Sequence, residues 1–252
     1  MSAEYNYITY IAVLLLSFLS VLTTLVGVTL AIYIGRSERA IALGIGFSAG
    51  IMLLISFLEL MPEAAVEAGM GAALAAFVSG LAIIAALNWV IPHTHLEEEK
   101  GIFGQIPLRS IYLVVFGLIL HDVPEGFAMA NSYIASPSLG IFVALAIALH
   151  NIPEEFAMAV PIVMAKKKQF LYKAAFLSGL AEPLGAVIGL TATHFFHSLN
   201  PFFMAFAAGA MVFISVHELL PMARRYHRIN FFVLGILLSA FVYLLLGAAI
   251  PE

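Results

Sequence analysis

The chain has 252 residues, 63% of them hydrophobic and only 10% charged, with a formal net charge of −4 and no cysteine. Soluble domains carry about 25% charged residues, so a water-soluble globule is excluded, and without thiols neither a disulfide nor a thiolate metal centre is available. Apolar stretches of about 20 residues, the length that crosses a bilayer, recur at 8–34, 41–63, 70–91, 108–132, 139–163, 170–193, 200–222 and 229–250. The first has no basic residue ahead of it in Met1 to Tyr10 and is longer than a signal-peptide core, so a permanent span is expected. Between the spans lie short polar breaks such as Gly35 to Arg39, His93 to Lys100 and Arg224 to Arg228. The expected fold is an all-α integral membrane protein of eight transmembrane helices in a single domain over 1–252.

Orientation follows from the basic residues. All 11 sit in or beside the breaks after spans 1, 3, 5 and 7: Arg36 and Arg39; Lys100 and Arg109; Lys166, Lys167, Lys168 and Lys173; Arg224, Arg225 and Arg228. Basic loops stay in the cytoplasm, which places both termini outside.

Two internal repeats are present. Span 4 carries His121-Asp-Val-Pro-Glu-Gly-Phe-Ala-Met-Ala130. Span 5 carries His150-Asn-Ile-Pro-Glu-Glu-Phe-Ala-Met-Ala159, with seven of ten positions identical. Span 2 carries Ala49-Gly-Ile-Met52, Ile55-Ser56 and Glu59-Leu-Met-Pro62. Span 7 carries Ala208-Gly-Ala-Met211, Ile214-Ser215 and Glu218-Leu-Leu-Pro221. Paired spans run in opposite directions, so the simplest relation is an inverted repeat exchanging helices 1–3 with 6–8 and helix 4 with helix 5, an architecture of many secondary transporters.

The repeated motif concentrates polar chemistry at membrane depth. His121 and Glu125 are four residues apart and share a helix face; Asp122 lies beside them, and His150, Asn151 and Glu154 repeat the pattern. Pro124 and Pro153 cannot donate to the carbonyls four residues back, so helix breaks are expected there. Span 6 adds Glu182, followed by Pro183. Asp122, Glu125, Glu154, Glu155 and Glu182 are all acidic, and no Lys or Arg lies mid-span. An unpaired charge at the bilayer centre costs about 2.5–3.5 kcal/mol or more, so protons or metal cations must compensate. Two imidazoles, an amide and several carboxylates suit zinc, iron(II), manganese or cobalt better than copper(I).

These motifs resemble the paired signatures of the ZIP (Zrt/Irt-like) family of metal-ion transporters. Ser178-Gly-Leu-Ala-Glu-Pro-Leu-Gly185 and Ala208 through Pro221 resemble that family's helices 6 and 7, and the compact ZupT-type branch of prokaryotes is the nearest in form. The resemblance implies a two-metal site from His121, Asp122, Glu125, His150, Asn151, Glu154 and Glu182, with Glu125 and Glu154 bridging. It implies import of zinc, iron, manganese, cobalt or cadmium across the cell membrane as bound substrate, with no prosthetic group and no nucleic-acid partner. Dimerisation, common in the family, is expected on resemblance alone. Glu155 stands where the family has Gly; it adds a ligand, retunes selectivity or faces a neighbouring helix. An elevator-type movement of helices 1, 4, 5 and 6 against 2, 3, 7 and 8 is also implied, with Gly50 and Gly209, beside Ala49 and Ala208, offering small sliding surfaces.

Further candidates stand outside this set. His217 and Glu218 fit either an exit station for metal or a polar helix end. His93 and His95, with Glu97, Glu98 and Glu99, fit a metal-receiving loop or a plain acidic one. Glu59, Glu63 and Glu67 either attract cations or solvate a helix end, while His194 and His197 read as interfacial. The rival function is an intramembrane metal-dependent hydrolase, but no H-E-x-x-H is present. A metal sensor or a structural membrane protein is the third reading.

Overall fold

The computed structural model describes residues 7–34, 37–90, 108–164 and 168–250, and every element in them is helical. The long helices are α1 (Tyr7–Ile34), α2 (Glu38–Ala68), α3 (Met70–Val90), α4 (Leu108–Ala135), α5 (Pro137–Met164), α6 (Lys168–Gly179 resuming as Ala181–Phe195), α7 (His197–Arg225) and α8 (Ile229–Ala249). Seven of them, α1 to α3 and α5 to α8, contain among their described residues a window long and apolar enough to cross a membrane. The 28 residues of α4 extend about 42 Å at 1.5 Å per residue; its first half, Ile111 to Leu120, is apolar, and the polar motif fills its second. Helices dominate because lipid offers the backbone no partners, so each amide must be satisfied within its own segment. Local signals set the ends of α2. Ser37 caps its start, the side chain accepting from the Ala40 amide, and Gly69, at φ +85°, ends it in a conformation open to glycine.

The expected breaks at Pro124 and Pro153 do not occur: α4 and α5 run on through both prolines. The irregular backbone lies instead in α2 and α7, as π-helical turns at Ile55–Leu60 and Ser215–Leu219. Pro62 and Pro221 follow them. A proline lacks the amide for the fourth residue back and crowds its carbonyl, and a π turn relieves this by shifting the bonding to i→i+5. The Met61 amide accordingly donates to Ser56 O, and the Leu220 amide to Ser215 O. At the start of each turn a serine hydroxyl folds back: Ser56 Oγ to Met52 O at 2.7 Å, and Ser215 Oγ to Met211 O at 2.8 Å.

Packing divides the helices into inner and outer members. Within the apolar window, 72% of α2 is buried, against 17% of α3 and of α8. The outer faces carry Leu74, Val78 and Ile83 on α3, and Leu234, Leu237, Phe241 and Leu244 on α8. An apolar surface this extensive belongs against lipid. The closest pairs are α2 with α8, α3 with α7, α2 with α7, α1 with α5 and α4 with α6; α1 with α6, α4 with α5, α2 with α5 and α4 with α7 also pack together. Gly50 and Gly209 serve the first two pairs. A Cβ on Gly50 would lie 2.0 Å from Ser239 Oγ of α8, and one on Gly209 would lie 1.9 Å from Phe77 O of α3. The sliding surfaces expected at these glycines are therefore static contacts within helices 2, 3, 7 and 8, because their missing side chains admit α8 and α3 rather than α4 or α5.

Candidate metal centre

The site starts from the histidine rings. Within α5, His150 Nδ1 donates to Ala146 O at 3.1 Å; within α4, His121 Nδ1 donates to Gly117 O at 3.0 Å. A carbonyl only accepts, so each ring keeps its proton on Nδ1 and offers the Nε2 lone pair outward. His150 Nε2 lies 3.3 Å from Glu125 Oε1 and 3.8 Å from Glu154 Oε2. Lone pairs face lone pairs across these gaps, so a proton or a metal ion belongs between them. Ligand atoms of Glu125, His150 and Glu154 all lie within 4.8 Å of one another. A tetrahedral zinc with N/O ligands at about 2.0–2.1 Å separates its donors by about 3.4 Å, so the three need draw in only slightly. Glu125 Oε2, Glu154 Oε2 and His121 Nε2 are buried without a hydrogen-bond partner. Buried polar atoms are normally paired; the two carboxylates belong to the cluster around His150, and His121 Nε2 faces Glu218 of α7.

The other motif residues flank this centre. Asp122 accepts from Ser178 Oγ of α6 at 2.8 Å. Asn151 donates to Ser20 Oγ of α1 at 2.7 Å and to Glu182 Oε2 of α6 at 3.3 Å. Glu182 lies in the electrostatic field of Glu125, Asp122 and Glu154. Close backbone contact brings α6 in: a Cβ on Gly126 would sit 1.9 Å from Glu182 O. Glu155, at the position equivalent to Gly126, is buried beside Ser178 and Asp122. It fits because α1 offers Gly27, whose Cβ would meet Ile152 O at 2.4 Å and Glu155 Cβ at 2.8 Å.

Of the outlying candidates, Glu218 reaches a motif histidine and His217 does not. Glu218 Oε2 stands 3.6 Å from His121 Nε2, while its Oε1 accepts from Asn88 Nδ2 of α3 at 3.1 Å. His217 is exposed and stacks on Phe213, ring centres 4.7 Å apart. Glu59, in the matching turn of α2, accepts a hydrogen bond from Tyr243 of α8. His93 and His95 lie outside the described residues. Ser178 enters only as the start of the segment that resembles the family's helix 6, and Asn88 and Ser20 stand outside every motif, their only signal a polar residue in an apolar run. Ser48 is another, donating to the His150 carbonyl at 2.9 Å.

Comparison with known proteins agrees with this geometry. The family model described as ZIP zinc transporter matches residues 91–251. Zinc transporter ZupT of Chlorobium luteolum is 37% identical over 249 residues, covering 90% of this chain and 93% of that protein. The ZupT of Corynebacterium aurimucosum is 40% identical over 227 residues, covering 81% and 84%, and that of Clostridium perfringens 33% over 259, covering 88% and 90%. With one family model spanning well over half its length and full-length relatives at this identity, the chain belongs to the ZIP zinc transporter family.

Proposed function

We propose that this protein carries divalent transition-metal ions, zinc foremost, across the cell membrane into the cytoplasm. The observation that carries the reading is the convergence of Glu125, His150 and Glu154. Their orphaned ligand atoms lie buried where no Lys or Arg can neutralise them. Zinc is the metal in the relatives' names; the nitrogen and oxygen donors also suit iron(II), manganese, cobalt and cadmium. Asp122, Asn151 and Glu182 would supply a second metal position, with Glu125 and Glu154 bridging, and His121 would adjoin on the Glu218 side. The relatives are transporters, which weighs against the hydrolase.

An inverted repeat is supported by the packing. Exchanging helices 1–3 with 6–8 and 4 with 5 turns the α2–α8 pair into α7–α3, α4–α6 into α5–α1, and α2–α5 into α7–α4. All six are observed pairs. The two π turns also exchange. Two four-helix bodies result, α1, α4, α5 and α6 against α2, α3, α7 and α8, meeting along two seams. In one seam Ser48 and Gly44 of α2 meet His150 and Pro153 of α5; in the other, Phe127 of α4 packs against Phe203 and Phe206 of α7. An elevator-type movement would shear these seams. Both termini outside, and a homodimer, complete the proposal. Zinc uptake into proteoliposomes holding the purified protein tests it: saturable uptake is expected, and none above empty vesicles would overturn it.

A further inference from the structure

At the end of the bundle away from Arg39 and Arg225, a cavity of about 370 Å³ lies among Glu67, Ile134, Ala135, His197, Ser198, Asn200 and Pro201. It sits where α2 and α4 finish and α7 begins, so it straddles the two bodies. Asn200 is only 4% exposed. Its Nδ2 donates to Asn131 O at 3.1 Å and contacts Met204 Sδ at 3.8 Å. The opposite atom of that amide, Oδ1, is buried with no hydrogen-bond partner. A buried acceptor without a partner is unusual, and it belongs to a residue that lines a cavity also lined by a carboxylate, an imidazole and a hydroxyl residue. Among the described residues, no Lys or Arg lines the cavity.

We infer that this cavity is a capture site for hydrated divalent metal ions, feeding the buried centre; it rests on the transport reading above. Its donors are Glu67, His197 and Ser198, with Asn200 in the wall behind them. Few protein ligands and room for about ten waters at ~30 Å³ each mean that the ion keeps most of its water there and binds weakly. Exposed Glu67 and His197 meet it first. Beneath them, Asn131, Ser132 and Thr193 are fully buried polar residues, with Thr193 Oγ1 donating to Asn131 Oδ1 at 2.7 Å. The cavity wall at Ile134 is nine residues along α4 from Glu125, about 14 Å.

Two measurements test this. Zinc uptake by proteoliposomes is compared for the wild type and the double variant Glu67→Gln, His197→Ala. A fixed negative cavity raises local cation concentration about tenfold or more, so KM should rise about 5- to 10-fold with kcat held, and the gap should narrow at high salt. An unchanged KM, or a fall in kcat alone, overturns the proposal. Separately, zinc is titrated calorimetrically into a Glu125→Gln, Glu154→Gln protein. Residual weak binding that His197→Ala abolishes supports the cavity; no residual binding, or binding indifferent to His197→Ala, overturns it. This second measurement needs no transport, so absent uptake by the wild type would sink the transport reading and leave the cavity to be judged by titration.

Discussion

The two H-x-x-P-E motifs are nearly the same sequence in different company. His150 turns its free nitrogen to Glu125 and Glu154, carboxylates of its own four-helix body. His121 turns its own toward Glu218, across the seam on α7. The equivalent glutamate of the first half, Glu59, is held by Tyr243, whose ring packs edge-on against Phe142 of α5 at 5.2 Å. The two copies thus share one cluster of ligands, to which the first gives its glutamate and the second both its histidine and its glutamate, while the first copy's histidine faces α7 instead. The difference teaches that a repeated motif supplies matching ligands, while unlike neighbours set what each one meets.

The sharpest way to break this comparison is to remove the shared core. Replacing Glu154 by Ala should lower zinc uptake by about 100-fold or more, at or beyond the upper end of losses seen for residues supporting a metal site. The protein should still insert and elute as the wild type does. Uptake near the wild-type rate would move the transport site elsewhere.

A smaller effect separates bridge from core. Glu218→Gln leaves Glu125, His150 and Glu154 in place, so zinc affinity should stay within about threefold while uptake slows about tenfold. Affinity and uptake falling together would make Glu218 part of the core.

Smaller still is the effect of restoring a glycine. Glu155→Gly removes the carboxylate beside Asp122 and makes the second motif resemble the first. Zinc uptake should persist, with the preference for zinc over manganese shifting about threefold, or ~0.7 kcal/mol. An unaltered preference would reduce Glu155 to a packing residue against Gly27.

The last prediction touches no ligand. A Lys167→Cys variant should be labelled by an impermeant thiol reagent only after the cells are opened, since the chain has no other thiol and basic loops stay inside. Labelling on intact cells would reverse the orientation, and with it the side on which Glu218 lies.

The eight helices were legible because an apolar run of bilayer length has few other uses. The motif residues were legible because acids at membrane depth demand a cation. Beyond these, the sequence pattern ran out for identifiable reasons. Asn88 reads as one amide in Ala-Leu-Asn-Trp; its meaning lies in Glu218, 130 residues away. His217 and Glu218 are adjacent, and which of them faces inward depends on the helical phase through a π turn that no periodicity announces. Pro124 and Pro153 suggested breaks, but well-packed helices tolerate the missing bond, and the distortion appeared beside Pro62 and Pro221. Gly50 and Gly209 are small wherever they point, and only the packing reveals that they point at α8 and α3.

The π turns have a consequence in the currency of insertions and deletions. Each is a helix holding one surplus residue. Phe57 and Val216 lie in these turns and are about half exposed. Deleting either would let the helix close with ordinary α bonding while both flanks keep their phase, because the surplus residue is the one removed. A deletion elsewhere in α2 or α7 would instead rotate one flank by about 100° and throw a buried face out of register. Length variation in this fold should therefore be tolerated by folding at these two positions, while the lost turn carries Glu59 or Glu218 off its partner and silences transport.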